Sequence, residues 1–203
     1  MIQIRQIVNE YQHSCTYILY NDDCEFAWLI DCGSDIQKVL EWLKTNDKRL
    51  RGIFLTHCHD DHICGLRQLL IEHPCVPIYL SAHEGVMCVK DIRMNLTKYT
   101  STPFRVISDY FVELEDKAKV SIFNDVELIA YLADGHSLDS MVYRVGDNLF
   151  TGDAYIPPLK VVTRLPGADK ARAVQSLKMI QELIVNDNLN VLPGHDISHL
   201  NIK

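Results

Sequence analysis

Thr56-His57-Cys58-His59-Asp60-Asp61-His62 is the stretch on which the reading of this chain turns. Four of its residues, His57, His59, Asp61 and His62, carry nitrogen or oxygen donors of the kind that zinc, iron and manganese accept. The apolar run Ile53-Phe54-Leu55-Thr56 before it reads as a strand, and Leu66, Leu69 and Leu70 after it fall at helical spacing. The stretch is therefore a turn from strand to helix. Two histidines two apart at a strand end project to the same side, while Asp61 and His62, opening the helix, point toward a second position. A helix start favours acids through the helix dipole, but it gives no reason for three histidines.

Three more donors stand in a similar setting, each just past an apolar run and beside a glycine. They are His136 in Ala133-Asp134-Gly135-His136, Asp153 in Thr151-Gly152-Asp153, and His195 in Leu192-Pro193-Gly194-His195. Strand ends of one sheet gather at one rim, where side chains distant in sequence meet. Together with the first stretch these residues make seven donors, more than the four that one tetrahedral zinc takes. The expectation is two divalent metal ions, zinc first, with iron or manganese also suited to imidazole and carboxylate.

The 203 residues fit one domain spanning 1–203, and the 47% apolar and 23% charged content exclude disorder. A net charge of -7 argues against DNA or RNA as the main partner and leaves a small-molecule substrate as the expectation. No apolar run approaches the ~20 residues of a membrane span, and Met1 to Glu10 lacks an apolar secretory core. The expected location is the cytoplasm, away from membranes. The cysteine count of seven is odd and includes no Cys-x-x-Cys pair, so reduced thiols are expected rather than disulfides or a zinc ribbon. Most of these cysteines are expected to be small buried apolar residues.

Tyr17-Ile18-Leu19-Tyr20 and Phe26-Ala27-Trp28-Leu29-Ile30 flank Asn21-Asp22-Asp23 and predict a hairpin. Ser34 is the expected cap of a helix carrying Ile36, Val39, Leu40 and Leu43. Ser81-Ala82-His83-Glu84 fits a capping box after a strand from Val76 to Leu80. Residues 94–103 lack an apolar period and predict a loop, with turns at Asn124-Asp125 and Gly146-Asp147-Asn148. A helix is predicted over 169–186 with Val174, Leu177, Ile180 and Ile184 on one face, then a strand over 190–192. The halves repeat an order of strand to Asp31, helix, strand to His57, then strand to Asp153, helix, strand to His195. Duplication and coincidence both remain open. Strands covered by a few helices give an α/β sandwich rather than a doubly wound sheet.

The complete pattern His-x-His-x-Asp-His, followed in order by His136, Asp153 and His195, resembles the metallo-beta-lactamase fold superfamily. Tyr17-Ile18-Leu19 and Leu29-Ile30-Asp31-Cys32-Gly33 are similar to the family's opening hairpin, and Gly135-His136-Ser137 and Thr151-Gly152-Asp153 to its later signatures. The resemblance covers nearly the whole chain and is more specific for fold than for substrate. It implies an αββα sandwich, two mixed sheets flanked by helices, with a metal site at one edge. It further implies that His57, His59 and His136 hold one ion, that Asp61, His62 and His195 hold the other, and that Asp153 bridges them. The implied nucleophile is a metal-bridging hydroxide, with Asp61 as the catalytic residue that orients it or accepts its proton. Two cations ~3.5–4 Å apart would acidify a shared water and polarise the oxygen it attacks.

Three departures from the family accompany this likeness. Cys64 stands where the family has a small residue, and a packed thiol is expected there rather than a ligand. Leu138 and Asp139 replace a frequent Pro-Gly, so Asp139 is read either as altering the pocket rim or, in preference, as a solvated loop acid. The chain also runs only eight residues past His195, so the C-terminal helical region with which full-length hydroxyacylglutathione hydrolases bind glutathione is expected to be absent. The ligand set and the segment Arg164-Leu165-Pro166-Gly167-Ala168-Asp169 are similar to short relatives of those hydrolases. The implied function is a metal-dependent hydrolase, opening a thioester, ester or lactone. Asn95, Tyr155 and Arg164 are the candidate substrate contacts. Two alternatives stand beside it: a mononuclear iron persulfide dioxygenase on the same scaffold, and a non-catalytic metal-binding module.

Overall fold

A computed structural model describes residues 1–200. Its first sheet takes the strands in chain order, β1 (Gln3–Val8), β2 (Cys15–Tyr20), β3 (Phe26–Ile30), β4 (Arg49–Phe54), β5 (Ile78–Ser81) and β6 (Phe111–Leu114). Pairing is antiparallel from β1 to β3 and parallel from β3 to β6. The second sheet runs in the order β11 (Asn190–Pro193), β10 (Asn148–Gly152), β9 (Met141–Val145), β8 (Val126–Leu132) and β7 (Lys119–Phe123). There only β10 and β11 are parallel. Both sheets are therefore mixed. The turns between β7 and β8 and between β9 and β10 lie where Asn124-Asp125 and Gly146-Asp147 predict them.

The alternation of side chains along each strand divides the apolar residues into three layers. Tyr17, Trp28, Phe54, Leu128, Tyr143 and Phe150 face one another between the sheets. Ile18, Leu29, Ile53 and Ile78 point the other way, against α1 (Ile36–Thr45), α3 (Leu66–Glu72) and α4 (Gly85–Lys90). Val142 and Leu149 face Ile180 of α5 (Lys170–Asp187). The result is the helix–sheet–sheet–helix sandwich that the sequence predicts.

Hydrogen bonds between the sheets fix their offset. Trp28 Nε1 donates to the Ile122 carbonyl at 2.8 Å, Tyr143 Oη to Leu55 at 2.6 Å, and Tyr17 Oη to Pro193 at 2.7 Å. Tyr143 thereby ties β9 to the end of β4, and Tyr17 ties β2 to the end of β11, the two strand ends that lead to His57 and His195. The repeated order in the two halves is also visible in three dimensions. β3–α1–β4 and β10–α5–β11 are both parallel crossovers, with Asp31 and Asp153 just past the first strand of each.

Three local expectations are corrected. Asp35, not Ser34, precedes α1, and neither side chain caps its amides. Ser81 and Glu84 form no capping box, because Glu84 adopts a left-handed conformation and Ser81 Oγ instead accepts the His83 amide at 3.0 Å. On α5 the inward face is Ala173, Ser176 and Ile180, while Val174 is 62% exposed. The cause is close approach: a Cβ on Gly135 would lie 2.1 Å from the Ala173 nitrogen, so this contact admits only small residues. Asp169 does cap α5, accepting the amides of Ala171 and Arg172 at 2.8 and 3.0 Å, an interaction worth ~1 kcal/mol.

Candidate metal centre

The turn from β4 enters α2 (Asp60–Ile63), a helix of one turn that buries Asp60, Asp61, His62 and Ile63. Three strand-end loops meet it there, carrying His136, Asp153 and His195. Donor atoms of His57, His59 and His136 lie within 4.8 Å of one another, as do those of Asp61, His62 and His195, and of His57, His62 and Asp153. All seven residues singled out in the sequence thus converge on one rim.

Each ring has its orientation set by a partner. His62 Nδ1 donates to Asp31 Oδ2 at 2.9 Å, His136 Nδ1 to the Val162 carbonyl at 3.0 Å, and His195 Nδ1 to the Gln12 carbonyl at 2.9 Å. His57 Nδ1 lies 3.1 Å from Thr56 Oγ1, whose hydroxyl donates to Asp31 Oδ2 at 2.7 Å. With Nδ1–H engaged in this way, Nε2 of all four rings keeps its lone pair for a cation. His59 is turned the other way, its Nδ1 standing 3.0 Å from His136 Nε2.

Asp31 is the residue that sequence reasoning missed. Its carboxylate also accepts the Thr56 amide at 2.7 Å, so one buried anion orients His62 directly and His57 through Thr56. Asp31 has a left-handed backbone, φ 58°, and an acid ending a strand reads like any turn residue. The Gln12 and Val162 contacts are backbone carbonyls, which no residue type announces. Ser14 Oγ donates to the Asp61 carbonyl, and Tyr11 Oη to Asp60 Oδ2, both at 2.7 Å, so the β1–β2 loop is tied across α2.

Asp153 sits between the two groups of histidines. Its Oδ1 is 3.4 Å from His62 Nε2 and 3.3 Å from His195 Nε2, and its Oδ2 is 3.5 Å from His136 Nε2. Oδ1 nevertheless makes no aligned hydrogen bond, and neither does the buried Nε2 of His57. A Cβ on Gly194 would meet Asp153 Oδ1 at 2.3 Å, so the glycine leaves the space that the carboxylate fills. Buried polar atoms left without a hydrogen-bond partner, as Asp153 Oδ1, His57 Nε2 and His59 Nε2 are, fit cations placed among them.

The two groups differ in charge preference. Burial pushes His57 well below the ordinary imidazole range, His59 to about 3, and His136 downward. Burial also opposes charge on His62, but Asp61 and Asp31 outweigh it and hold that ring well above its usual value. At His195 burial is likewise overcome, by Asp153. Protons therefore compete with a cation at His62 and His195, but scarcely at the other three. On stepwise acidification of the metal-loaded chain, the ion beside His62 and His195 is expected to leave first. Metal analysis after gel filtration at falling pH checks this, and simultaneous loss of all bound metal contradicts it. The sign for the ion-free fold follows from the same shifts. Neutral His59 contributes stability that is complete above ~6.5 and is lost as pH falls toward about 3.

The other candidates separate. Asn95 is corrected as a substrate contact: it is fully buried, its amide donating to the Val89 and Phe104 carbonyls at 3.0 and 3.3 Å while its Oδ1 accepts from Thr97. It organises the 94–103 loop, which contains one 3-10 turn, Thr97–Tyr99. Asp139 is not a solvated acid; it is 2% exposed and accepts Ser137 Oγ at 2.9 Å, and burial raises its carboxyl to about 6. Cys64 is half-buried and belongs to none of the donor groups. Arg164 is exposed two residues beyond the Val162 carbonyl that holds His136, and the Tyr155 carbonyl accepts Thr151 Oγ1 at 2.6 Å, two residues past Asp153. Among the described residues no helix is long and apolar enough to cross a membrane.

Comparison with known proteins gives matches across the same region. The sequence profile of the metallo-beta-lactamase superfamily matches residues 8–195. A hydroxyacylglutathione hydrolase of Hahella chejuensis is 32% identical over 77% of this chain and 52% of its own length. A probable metallo-hydrolase of Streptococcus pyogenes is 28% identical over 96% of this chain and 84% of its own. Among solved structures, the B3 metallo-beta-lactamase BLEG-1 superposes with a TM-score of 0.79 at 26% identity, covering 96% of this chain and 92% of that one. The chain spans about half the length of the hydroxyacylglutathione hydrolase it matches.

Proposed function

Since the chain belongs to the metallo-beta-lactamase superfamily, a family of metallohydrolases that bind divalent metals, we propose that it is a dinuclear hydrolase cleaving a small thioester, ester or lactone. His57, His59 and His136 would hold one ion, Asp61, His62 and His195 the other, and Asp153 both. The observation that carries this reading is Asp153, a single carboxylate with one oxygen 3.3 Å from His195 and the other 3.5 Å from His136. When bound, such a pair of cations supplies an acidified water and a polarised carbonyl oxygen.

The residues do the rest. Asp61 Oδ2 stands 3.5 Å from His62 Nε2 and 3.3 Å from His195 Nε2, placed to orient the attacking water and accept its proton. Burial raises the Asp61 carboxyl, which favours its holding that proton. The Nδ1 contacts to Asp31, Val162 and Gln12 keep the rings from rotating as charge develops. Arg164 and Tyr155, on loops leading from the same rim, are proposed to touch substrate. A chain of net charge -7 suits a small molecule better than a nucleic acid.

Imidazole and carboxylate suit iron as well as zinc, so oxygen chemistry on a persulfide is the reading to separate. The chain reconstituted with zinc, and separately with ferrous iron, is expected to cleave members of a thioester, ester and lactone panel without oxygen uptake. A glutathione thioester belongs in that panel. Turnover confined to the iron form, consuming oxygen in step with a persulfide, contradicts the proposal. Turnover by neither form on any of these substrates contradicts it too.

A further inference from the structure

Cys58 stands between two histidines of the centre, yet its sulfur belongs to a different cluster. Cys58 Sγ, Cys88 Sγ of α4 and a carboxylate oxygen of Asp139 lie within 4.8 Å of one another. The three residues are 1%, 0% and 2% exposed, so they are closed off from water. The Met94 carbonyl oxygen is 3.5 Å from Cys58 Sγ, and Ser137 Oγ donates to Asp139 Oδ1 at 2.9 Å. Around them lies the apolar layer of Leu80, Val89 and Leu138 that separates the first sheet from its helices.

A carboxylate buried in such a layer calls for polar partners around it. The partners of Asp139 are Ser137 and Cys58, and among the described residues no cationic side chain is paired with it. Two sulfurs and a carboxylate oxygen within one coordination sphere are the donor types that a thiophilic ion takes. They also come from three separate segments: the donor loop, α4, and the turn after His136. A cross-link here would fix the distance between the loops that carry His59 and His136.

We propose that Cys58, Cys88 and Asp139 form a closed, structural cation site for a thiophilic divalent ion such as zinc, separate from the seven-residue centre, with the Met94 carbonyl as its fourth donor. On binding, both thiols release their protons to solvent and the sulfurs coordinate as thiolates. Four protein donors leave no position for a substrate, which distinguishes a structural site from a catalytic one.

Cobalt(II) as a zinc substitute tests this independently of activity and of how many ions the other centre holds. The seven residues of that centre offer only nitrogen and oxygen, so any sulfur-to-cobalt charge-transfer band in the near ultraviolet reports a cysteine-containing site. The cobalt-loaded chain is expected to show this band. Cys88→Ser is expected to abolish it and Asp139→Asn to weaken it, while the visible bands of nitrogen- and oxygen-bound cobalt persist. No band in the unmodified chain, or a band that survives Cys88→Ser, overturns the proposal. Should that variant fail to fold, zinc-edge X-ray absorption of the unmodified chain decides. A sulfur shell at ~2.3 Å is expected, and nitrogen and oxygen scatterers alone at ~2.0–2.2 Å overturn the site.

Discussion

Asp153→Ala is expected to cost the proposed dinuclear centre one of its ions and to lower kcat roughly 10²- to 10³-fold, the equivalent of several kcal/mol of charge stabilisation. The carboxylate faces His62 and His195 with one oxygen and His136 with the other. Two cations held this close repel each other, and the anion between them offsets that repulsion. The same groups show how strongly the site favours the anion. Burial alone would raise the Asp153 carboxyl, yet His195 and His62 hold it well below the ordinary carboxylate range. Removing it should lower turnover far more than it affects folding. Zinc content, turnover and a urea unfolding curve check the three parts of this expectation. A variant with full zinc content and wild-type turnover contradicts the bridging role.

Asp31→Ala is expected to destabilise the chain by about 3–5 kcal/mol, the usual cost of removing one partner from a buried, charged hydrogen-bond network. Three donors lose their acceptor at once: the Thr56 amide, the Thr56 hydroxyl and His62 Nδ1. Asp31 and Thr56 are each 2% exposed and His62 is fully buried, so water does not replace the carboxylate. Asp31→Asn separates orientation from stability. Asparagine tolerates the left-handed backbone at this position, but it offers one acceptor oxygen and no charge. It is expected to keep the fold while weakening zinc binding about 10- to 100-fold, as substitutions behind metal-ligating histidines do. Competition against a chelator measures the affinity. Unchanged affinity in Asp31→Asn contradicts the orienting role.

The sandwich was legible because its strands carry plain signals. Tyr17–Tyr20 and Phe26–Ile30 pair as the antiparallel hairpin that the intervening turn predicts, and the crossovers join strands too distant to form hairpins. The donors were legible because each ends an apolar run beside a glycine or a second donor. What the sequence hid depends on tertiary neighbours. Asn95 lies in a Thr- and Ser-rich stretch that reads as an open loop, but its amide satisfies carbonyls from both sides and folds that loop inward. Asp139 reads as a loop acid until Ser137, Ser140 and Cys58 are placed around it. On α5 the apolar period points to Val174, whereas the tight approach at Gly135 selects the small side chains of Ala173 and Ser176 for the inner face. In each case the residue type was plain and the deciding neighbour was set by the folded backbone: Val89 and Phe104 around Asn95, Cys58 beside Asp139, and Gly135 against α5.

Diffraction from crystals grown with saturating zinc, recorded above and below the zinc absorption edge, locates the ions among these residues directly. The seven-residue centre is expected to show two anomalous peaks ~3.5–4 Å apart, one beside His57, His59 and His136, the other beside Asp61, His62 and His195, with Asp153 between them. Position as well as number is read, so an ion at Cys58, Cys88 and Asp139 does not confuse the count. A single peak within the seven residues, unchanged in a His195→Ala crystal, contradicts the dinuclear centre on which the proposed hydrolysis rests.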